Sequence, residues 1–341
     1  MNSPKSKRSP TIRDVAAKAN AGRTSISRYF NGEAHLLSEQ LKARIESAIQ
    51  ELNYRPNQMA RSLKHGSSQL LGLIVADISN PFSIEVLKGV ESESMNHGFM
   101  AVVCNANNNI ELECEFIRLL KGYRVDGLII NSAGVNESVL KVLKETTLPF
   151  VLLDRKIPNV LCDMVGLDNI QSAQMAFKHL EKQGFEALCF ISEPIQYNSA
   201  RQERLESFLA AIENSPHIQG EAHQLELPNA AQLVATISTF CQEYCGMRKA
   251  IIAANGVLSL QIAFALKRLG LSWGTDIGFL SFDNLEWADL AGKGITSISQ
   301  PTADMGKMAV TILLDKLANP NHQEQEHLFN GELVIRESTF F

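Results

Sequence analysis

Apolar positions along this chain change their spacing once, near residue 69. Before that point they recur every three or four residues, the period of one helix face. A first helix beginning at Thr11, with Asp14 three residues on as a near capping box, gathers Ile12, Val15, Ala16 and Ala19 on one side. A second, from about Gly22 to Phe30, turns Ile26, Tyr29 and Phe30 inward. Ser38 caps a third, whose stripe is Leu41, Ile45, Ala48, Ile49 and Leu52. Only Asn20 and Ala21 separate the first two helices. Two helices joined this tightly and braced by a third form the helix-turn-helix plan, placed here at residues 1–53.

Residues 54–68, YRPNQMARSLKHGSS, are polar and basic. Pro56 can start a helix that Gly66 and two serines stop, and so short a helix is marginal alone. The segment reads as a hinge that orders on contact with DNA. From residue 69 onward, β-branched apolar runs alternate with amphipathic stretches. The runs lie at 70–77, 100–106, 127–132, 150–155, 187–193, 250–255 and 277–283, with a last one in ELVIRES. The helical stretches fall near 81–97, 109–122, 136–146, 169–184, 201–214, 229–245 and 256–269. Strand–helix alternation implies parallel sheets covered on both faces, and about ten strands divide better into two lobes than into one sheet. Ligands of such folds sit beyond the carboxyl ends of the strands.

Charge sharpens this division. Residues 1–65 hold 12 Lys and Arg against five acids, 12 − 5 = +7, while the remainder is (32 − 12) − (37 − 5) = −12. A basic head on an acidic body fits a protein that meets phosphate at one end only. No apolar run is long enough to span a bilayer, and residues 1–10 lack the apolar core of a secretory signal, so a cytoplasmic, nucleoid-associated location with no membrane partner is expected. The six cysteines form no Cys-x-x-Cys pair; several sit in apolar runs such as AVVCNA and ALCFIS and read as buried reduced thiols, with Cys241 and Cys245 packing on one helix face. No dinucleotide, phosphate-loop, nucleophile-elbow or His-Glu-x-x-His motif occurs, and no His lies near Cys241 or Cys245, so no catalysis, cofactor or metal is expected. A transport binding protein would share the lobes but carry a leader and no headpiece.

TIRDVAAKANAGRTSISRYFNG followed by YRPNQMARSLK resembles the DNA-binding head of the LacI/GalR family, and the likeness continues through GLIVADISNPF, VDGLII, PFVLLDR and VGLDN to SQPTADMG. VADISNPF, VVCNA, YRVDGLIIN, DNLEW and SQPT are most similar to regulators of 2-ketogluconate and 2-keto-3-deoxygluconate metabolism. The resemblance implies an all-α helix-turn-helix headpiece plus an α/β two-lobed, periplasmic-binding-protein-like (type I) effector domain at residues 69–341. Its N-lobe would be about 69–168 and 299–326 and its C-lobe about 169–298 and 327–341, with crossovers near 168–169, 298–300 and 326–328. It implies a homodimer on a palindromic double-stranded DNA operator. ELVIRES has no leucine-rich heptad tail after it, which favours a dimer over a tetramer, with higher association left open.

The family's base-reading positions fall on Arg23, Thr24 and Arg28, and an Arg fork can grip guanine bidentately. Ser25, Ser27 and Asn31 suit phosphate, with Thr11 alongside at a helix start. In the hinge the resemblance places contacts at Asn57 and Arg61 and a minor-groove wedge at Leu63. Asn20 stands where relatives have a turn glycine, Gly22 where many have a serine cap, and Gly256 where many have aspartate. Polar groups at strand ends are the candidate ligand contacts: Asn80 and Phe82 in SNPF, Arg155, Arg201, Arg204, Asn255 and Asp283. Asn80–Pro81 equally makes an ordinary helix start. Guanidinium forks with hydroxyl-binding Asn and Asp fit a keto sugar acid as effector. A neutral sugar, a nucleobase and co-repressor logic stay open beside it.

Overall fold

The computed structural model describes residues 10–30, 32–55, 66–134, 137–157, 160–196, 198–226 and 229–340. It divides into two compact units between Ser68 and Gln69.

The first unit is helical: α1 (Ile12–Lys18), α2 (Arg23–Phe30) and α3 (Glu39–Leu52), with a 3-10 turn at Ala34–Leu36. Asp14 starts α1 by accepting both the backbone N–H and the hydroxyl of Thr11, each at 2.7 Å. Asn20 ends it at φ 47°, and the Ala21 and Asn20 N–H groups return to the carbonyls of Ala16 and Ala17. That paired 6→1 and 5→2 arrangement is the Schellman turn, and Asn tolerates its left-handed residue where most side chains clash. Val15, Ile26 and Ile45, one from each helix, are fully buried at the centre. Each contributes about 1.5–3 kcal/mol by leaving water. Tyr29 and Phe30 are only partly buried, because they pack edge-on against one another at 5.6 Å at the margin of this core.

The second unit carries two six-stranded sheets. The first orders its strands β11-β5-β4-β3-β1-β2, all parallel, where β1 is Leu70–Val75, β2 Met100–Asn105, β3 Gly127–Ile130, β4 Phe150–Leu153, β5 Met164–Leu167 and β11 Glu326–Phe329. One face packs on α4 (Pro81–Asn96) and α12 (Thr302–Ala318), the other on α5 (Ile110–Gly122) and α6 (Glu137–Thr146). The second sheet orders β12-β10-β9-β8-β6-β7, with β6 Ala187–Ser192, β7 Gln219–Gln224, β8 Lys249–Ala253, β9 Gly278–Phe282, β10 Thr296–Ser299 and an antiparallel edge β12, Glu332–Val334. Helices α9 (Ala230–Glu243) and α10 (Gly256–Leu269) cover one face of it, and α7 (Asn169–Lys182) and α8 (Ser199–Glu213) the other. A short α11 (Glu286–Leu290) follows β9. Buried runs such as LLGLIV, past its half-buried Leu70, and ALCFIS are what a sheet covered on both faces requires.

The chain crosses between lobes three times. The first crossover is at Asp168, between β5 and α7, and the second at Gln300–Pro301, between β10 and α12. The third lies at Asn330–Gly331 rather than at 326–328, because Glu326–Phe329 pairs in register with Met164–Leu167 and so belongs to the first lobe. That strand alternates exposed Glu326 and Leu328 with half-buried His327 and Phe329, the pattern of an edge strand, and only its Asn-Gly terminus marks the break. Helices α4 and α12 cross backbone against backbone. A Cβ on Gly89 would stand 1.9 Å from the Ala303 carbonyl oxygen, and one on Gly306 2.4 Å from that of Val86. The thiols partly depart from expectation. Cys114 and Cys189 are buried, but Cys104, Cys162 and Cys241 are half-buried and Cys245 is exposed. Cys245 sits past the end of α9, so it shares no helix face with Cys241. Among the described residues no helix is long and apolar enough to cross a membrane.

Candidate functional site

In the headpiece, Arg23 and Thr24 open α2 and are exposed, and Arg28 in its last turn is exposed as well. Ser25 and Ser27 are half-buried beside them. The Arg28 Nε lies 3.9 Å from Glu33, both about half exposed, a pairing too loose and wet to fix the side chain. The Thr11 hydroxyl already donates to Asp14. Asn31, Asn57, Arg61 and Leu63 lie outside the described residues.

In the second unit all seven expected contact residues line one cleft between the lobes, of about 650 Å³ with its open mouth included. It is built from the loops that follow β1, β2, β3, β4, β6, β8, β9 and β10, beyond the carboxyl ends of both sheets. From the first lobe, Asn80 caps α4: its side-chain oxygen accepts the Phe82 N–H at 3.1 Å. Helix start and cleft wall are therefore the same residue. Phe82 is buried behind it. Arg155 leaves β4 through Asp154, which holds φ 69°, and its Nη1 donates to the Ser132 carbonyl at 2.5 Å. Its Nε is buried and has no hydrogen-bond partner among the described residues. Burial above all raises the Asp154 carboxyl above its ordinary range, with the charge of Arg155 opposing.

From the second lobe, Arg204 is 3% exposed. Its Nε donates to Asn169 at 2.8 Å, its Nη1 to the Ala254 carbonyl at 2.7 Å, and its guanidinium lies 4.3 Å over the Phe282 ring. Burial lowers its pKa, countered first by Asp283 and then by Asp154. Arg201 is spent on Glu193 at 2.6 Å and on the Pro194 carbonyl at 3.2 Å. Asn255 caps α10 by accepting the Leu258 N–H at 2.9 Å and donates to Glu193. Asp283, at φ 72°, accepts the Gly256 N–H at 2.8 Å and the Gln300 amide at 2.5 Å. Gly256 is therefore used: a Cβ there would meet Leu285 at 2.8 Å and Asp283 at 3.1 Å. Gln300 Oε1 is buried without a partner among the described residues.

Asp154 and Asp283 are counterparts, each the first residue after a buried strand and each in the left-handed region. Such strain persists only where the surroundings over-determine it, and it gathers at binding sites. The sequence reading missed Asp77, Asn108, Asn131, Asp154, Glu193 and Gln300, which also line the cleft. The signal for one of them, Asp154, was present: VLLD and FLSFD end alike, and the reading took only the second aspartate. With all of them counted, the cleft sets Arg155, Arg201 and Arg204 against Asp77, Asp154, Glu193 and Asp283, 3 − 4 = −1.

A helix-turn-helix head joined to a two-lobed cleft of this kind defines a ligand-binding DNA-binding regulator. Residues 68–330 match the periplasmic binding proteins and sugar-binding domain of the LacI family, and residues 11–57 match bacterial regulatory proteins of the lacI family. The chain belongs to the LacI family of transcriptional regulators, and is a regulator rather than an enzyme. It is 38% identical over 329 residues to the HTH-type transcriptional regulator PtxS of Pseudomonas putida, covering 96% of both chains. To the HTH-type transcriptional regulator KdgR of Bacillus subtilis it is 36% identical over 330 residues, 96% of this chain and 97% of that one. The fold superposes on the lac repressor dimer bound to operator and the anti-inducer ONPF with a TM-score of 0.86 at 23% identity, covering 98% of this chain and 100% of that one. On the CelR–cellobiose complex the TM-score is 0.70 at 25% identity, over 96% and 99%.

Proposed function

We propose that this regulator is a homodimeric repressor of sugar-acid catabolism genes, released from a palindromic operator when a keto sugar acid such as 2-ketogluconate enters the cleft. The observation that carries the ligand class is the pair of buried polar atoms left without hydrogen-bond partners in one cleft, the Arg155 Nε donor, which has only an ion-pair contact with Asp154 at 3.7 Å, and the Gln300 Oε1 acceptor. An unpaired buried polar group costs about 1–3 kcal/mol, a cost that a ligand with complementary groups removes. A carboxylate or keto oxygen meets Arg155, and a hydroxyl meets Gln300 and the carboxylates around it. The likeness to PtxS and KdgR supports the sugar-acid assignment.

In this reading Arg23, Thr24 and Arg28 read base edges, and Thr11, Ser25, Ser27 and Asn31 hold phosphates, Thr11 by exchanging its hydroxyl hydrogen bond to Asp14 for one to phosphate. Asn57, Arg61 and Leu63 serve the minor groove at the hinge. Exposed Ile84 and Met95 on α4 and Leu260 and Phe264 on α10 supply apolar area for the partner subunit. Ligand acts by favouring one lobe arrangement over another, so its effect on the operator equals its differential affinity for the two.

A second reading, a neutral sugar as effector, is favoured by the charge count of −1 in the cleft, which makes no general attraction for an anion. Calorimetric titration of the protein with 2-ketogluconate and with the neutral parent sugar separates them. Heat from the acid alone supports the first reading; heat from the neutral sugar alone replaces it with the second.

A further inference from the structure

Outside the cleft, the second lobe holds a set of donors that neither its DNA-binding nor its ligand-binding role uses. Cys189 on β6 and Glu221 on β7 are register partners, and His223 stands two residues beyond Glu221 on the same face of the edge strand. Their ligand atoms, the Cys189 sulfur, a Glu221 oxygen and a His223 ring nitrogen, all lie within 4.8 Å of one another. The His223 Nε2 is 2.8 Å from Glu221 Oε1. Cys189 is fully buried beneath α9, whereas the Glu221 and His223 side chains are 22% and 36% exposed. A second thiol, Cys241 of α9, packs against the apolar core that holds Cys189.

We propose that Cys189, Glu221 and His223 form a binding site for a zinc-class divalent cation, with the fourth position open to water. One sulfur, one imidazole and one carboxylate make the donor set that suits a borderline-soft ion rather than magnesium or calcium. Zinc sits about 2.3 Å from sulfur and about 2.0–2.2 Å from nitrogen and oxygen. A tetrahedron of that size sets its donor atoms about 3.3–3.6 Å apart, so the Glu221–His223 pair opens from 2.8 Å while the contacts to sulfur, within 4.8 Å, close, movements that rotation of the two partly exposed side chains supplies. The partly exposed edge strand gives the ion its way in, and the buried sulfur gives it a fixed floor. The cation displaces the Cys189 thiol proton and the Glu221–His223 hydrogen bond, as coordination requires. Sequence reading found no such site because it searched for a His near Cys241 and Cys245. The site instead joins two strands that are thirty-odd residues apart in the chain and adjacent in the sheet.

The test is titration of the untagged, full-length protein with Co²⁺ as a spectroscopic stand-in for Zn²⁺. One equivalent produces a thiolate-to-cobalt charge-transfer band that Zn²⁺ bleaches. His223→Ala lowers cobalt affinity at least about tenfold, Cys189→Ala abolishes the band, and Cys245→Ala, which alters an exposed thiol elsewhere, leaves it in place. Should Cys189→Ala fail to fold, His223→Ala and Glu221→Gln at the half-exposed positions decide the matter. Absence of the band at millimolar cobalt in protein with native circular dichroism overturns the proposal. So does a band that survives Cys189→Ala, or one indifferent to both His223→Ala and Glu221→Gln.

Discussion

Arg204→Ala separates the cleft's two tasks, holding the second lobe together and holding a ligand. The substitution deletes hydrogen bonds to Asn169 at 2.8 Å and to the Ala254 carbonyl at 2.7 Å, together with the stack on Phe282 at 4.3 Å. Hydrogen bonds from a charged donor contribute about 1.5–3 kcal/mol each, and a desolvated cation–π contact about 2 kcal/mol. Against this, the variant no longer keeps a cation out of water, an opposing effect of several kcal/mol. The balance still falls on the side of loss, because Asp283 and Asp154 lose the cation that faces them. Removing one partner from a buried charge pair costs about 3–5 kcal/mol, and the lower end is expected here because the cleft admits water. At about 2–4 °C per kcal/mol the melting temperature of the effector domain drops by roughly 6–12 °C. Effector affinity falls at least about thirtyfold, equivalent to about 2 kcal/mol. Operator affinity stays within about threefold, since Arg204 lies in the other compact unit. Thermal melts by circular dichroism, calorimetry and operator anisotropy read the three quantities. Arg204→Lys keeps the charge but not the fork, and should recover less than half of the ligand affinity in free-energy terms. An unchanged effector midpoint in Arg204→Ala would refute the assignment of this side chain to the ligand.

Arg23→Ala should weaken operator binding by about 1–3 kcal/mol and relax preference at one base position; uniform weakening across all sequences, seen in a binding-site selection, would reassign Arg23 to phosphate. Gly306→Ala forces α4 and α12 apart against a 2.4 Å contact, so a loss of about 1–3 kcal/mol or more is expected in denaturant unfolding, and none would mean the crossing is loose. His322 lies between Asp163 at 2.8 Å and Asp315 at 2.7 Å, and those two hydrogen bonds hold its pKa above the usual imidazole range. Its contribution is therefore fully present below about pH 6.5 and lost as pH rises through the folded value. Asp163 is held low by hydrogen bonds from Lys316, His322 and the Gln325 N–H that outweigh its burial, so its contribution is present above about pH 4 and lost on acidification. Melting temperature should fall as pH rises above about 6.5, and His322→Asn should flatten that fall; an unaltered slope in the variant would exclude His322 as its source.

What the sequence made legible follows from which forces are local. Ser38 and the stripes of α1 to α3 declare themselves because capping and helix periodicity act within a few residues. LLGLIV and ALCFIS declare themselves because a doubly covered strand is apolar throughout. β7, QGEAHQ, and β11, EHLF, escape because an edge strand, half-exposed, needs no continuous apolar run, and their pairing partners lie elsewhere in the sequence. The cleft was legible as strand ends, and all seven chosen residues reach it. Its acids were not, since a carboxylate beside a guanidinium looks the same in sequence whether it faces a ligand or its neighbour. Arg201 shows the difference: chosen as a candidate ligand contact, with a structural ion pair left open beside it, it pairs with Glu193 at 2.6 Å.

The central claim is that occupancy of the cleft controls the grip of the headpiece on DNA. Fluorescence anisotropy of a labelled palindromic operator from the protein's own promoter region, with the protein titrated in the presence and absence of 2-ketogluconate at fixed salt, tests it most directly. A tenfold or greater rise in operator Kd on adding the acid, abolished in Arg204→Ala, is the predicted result. Tight binding that ignores the acid and every neutral sugar tried would contradict a cleft that governs the head.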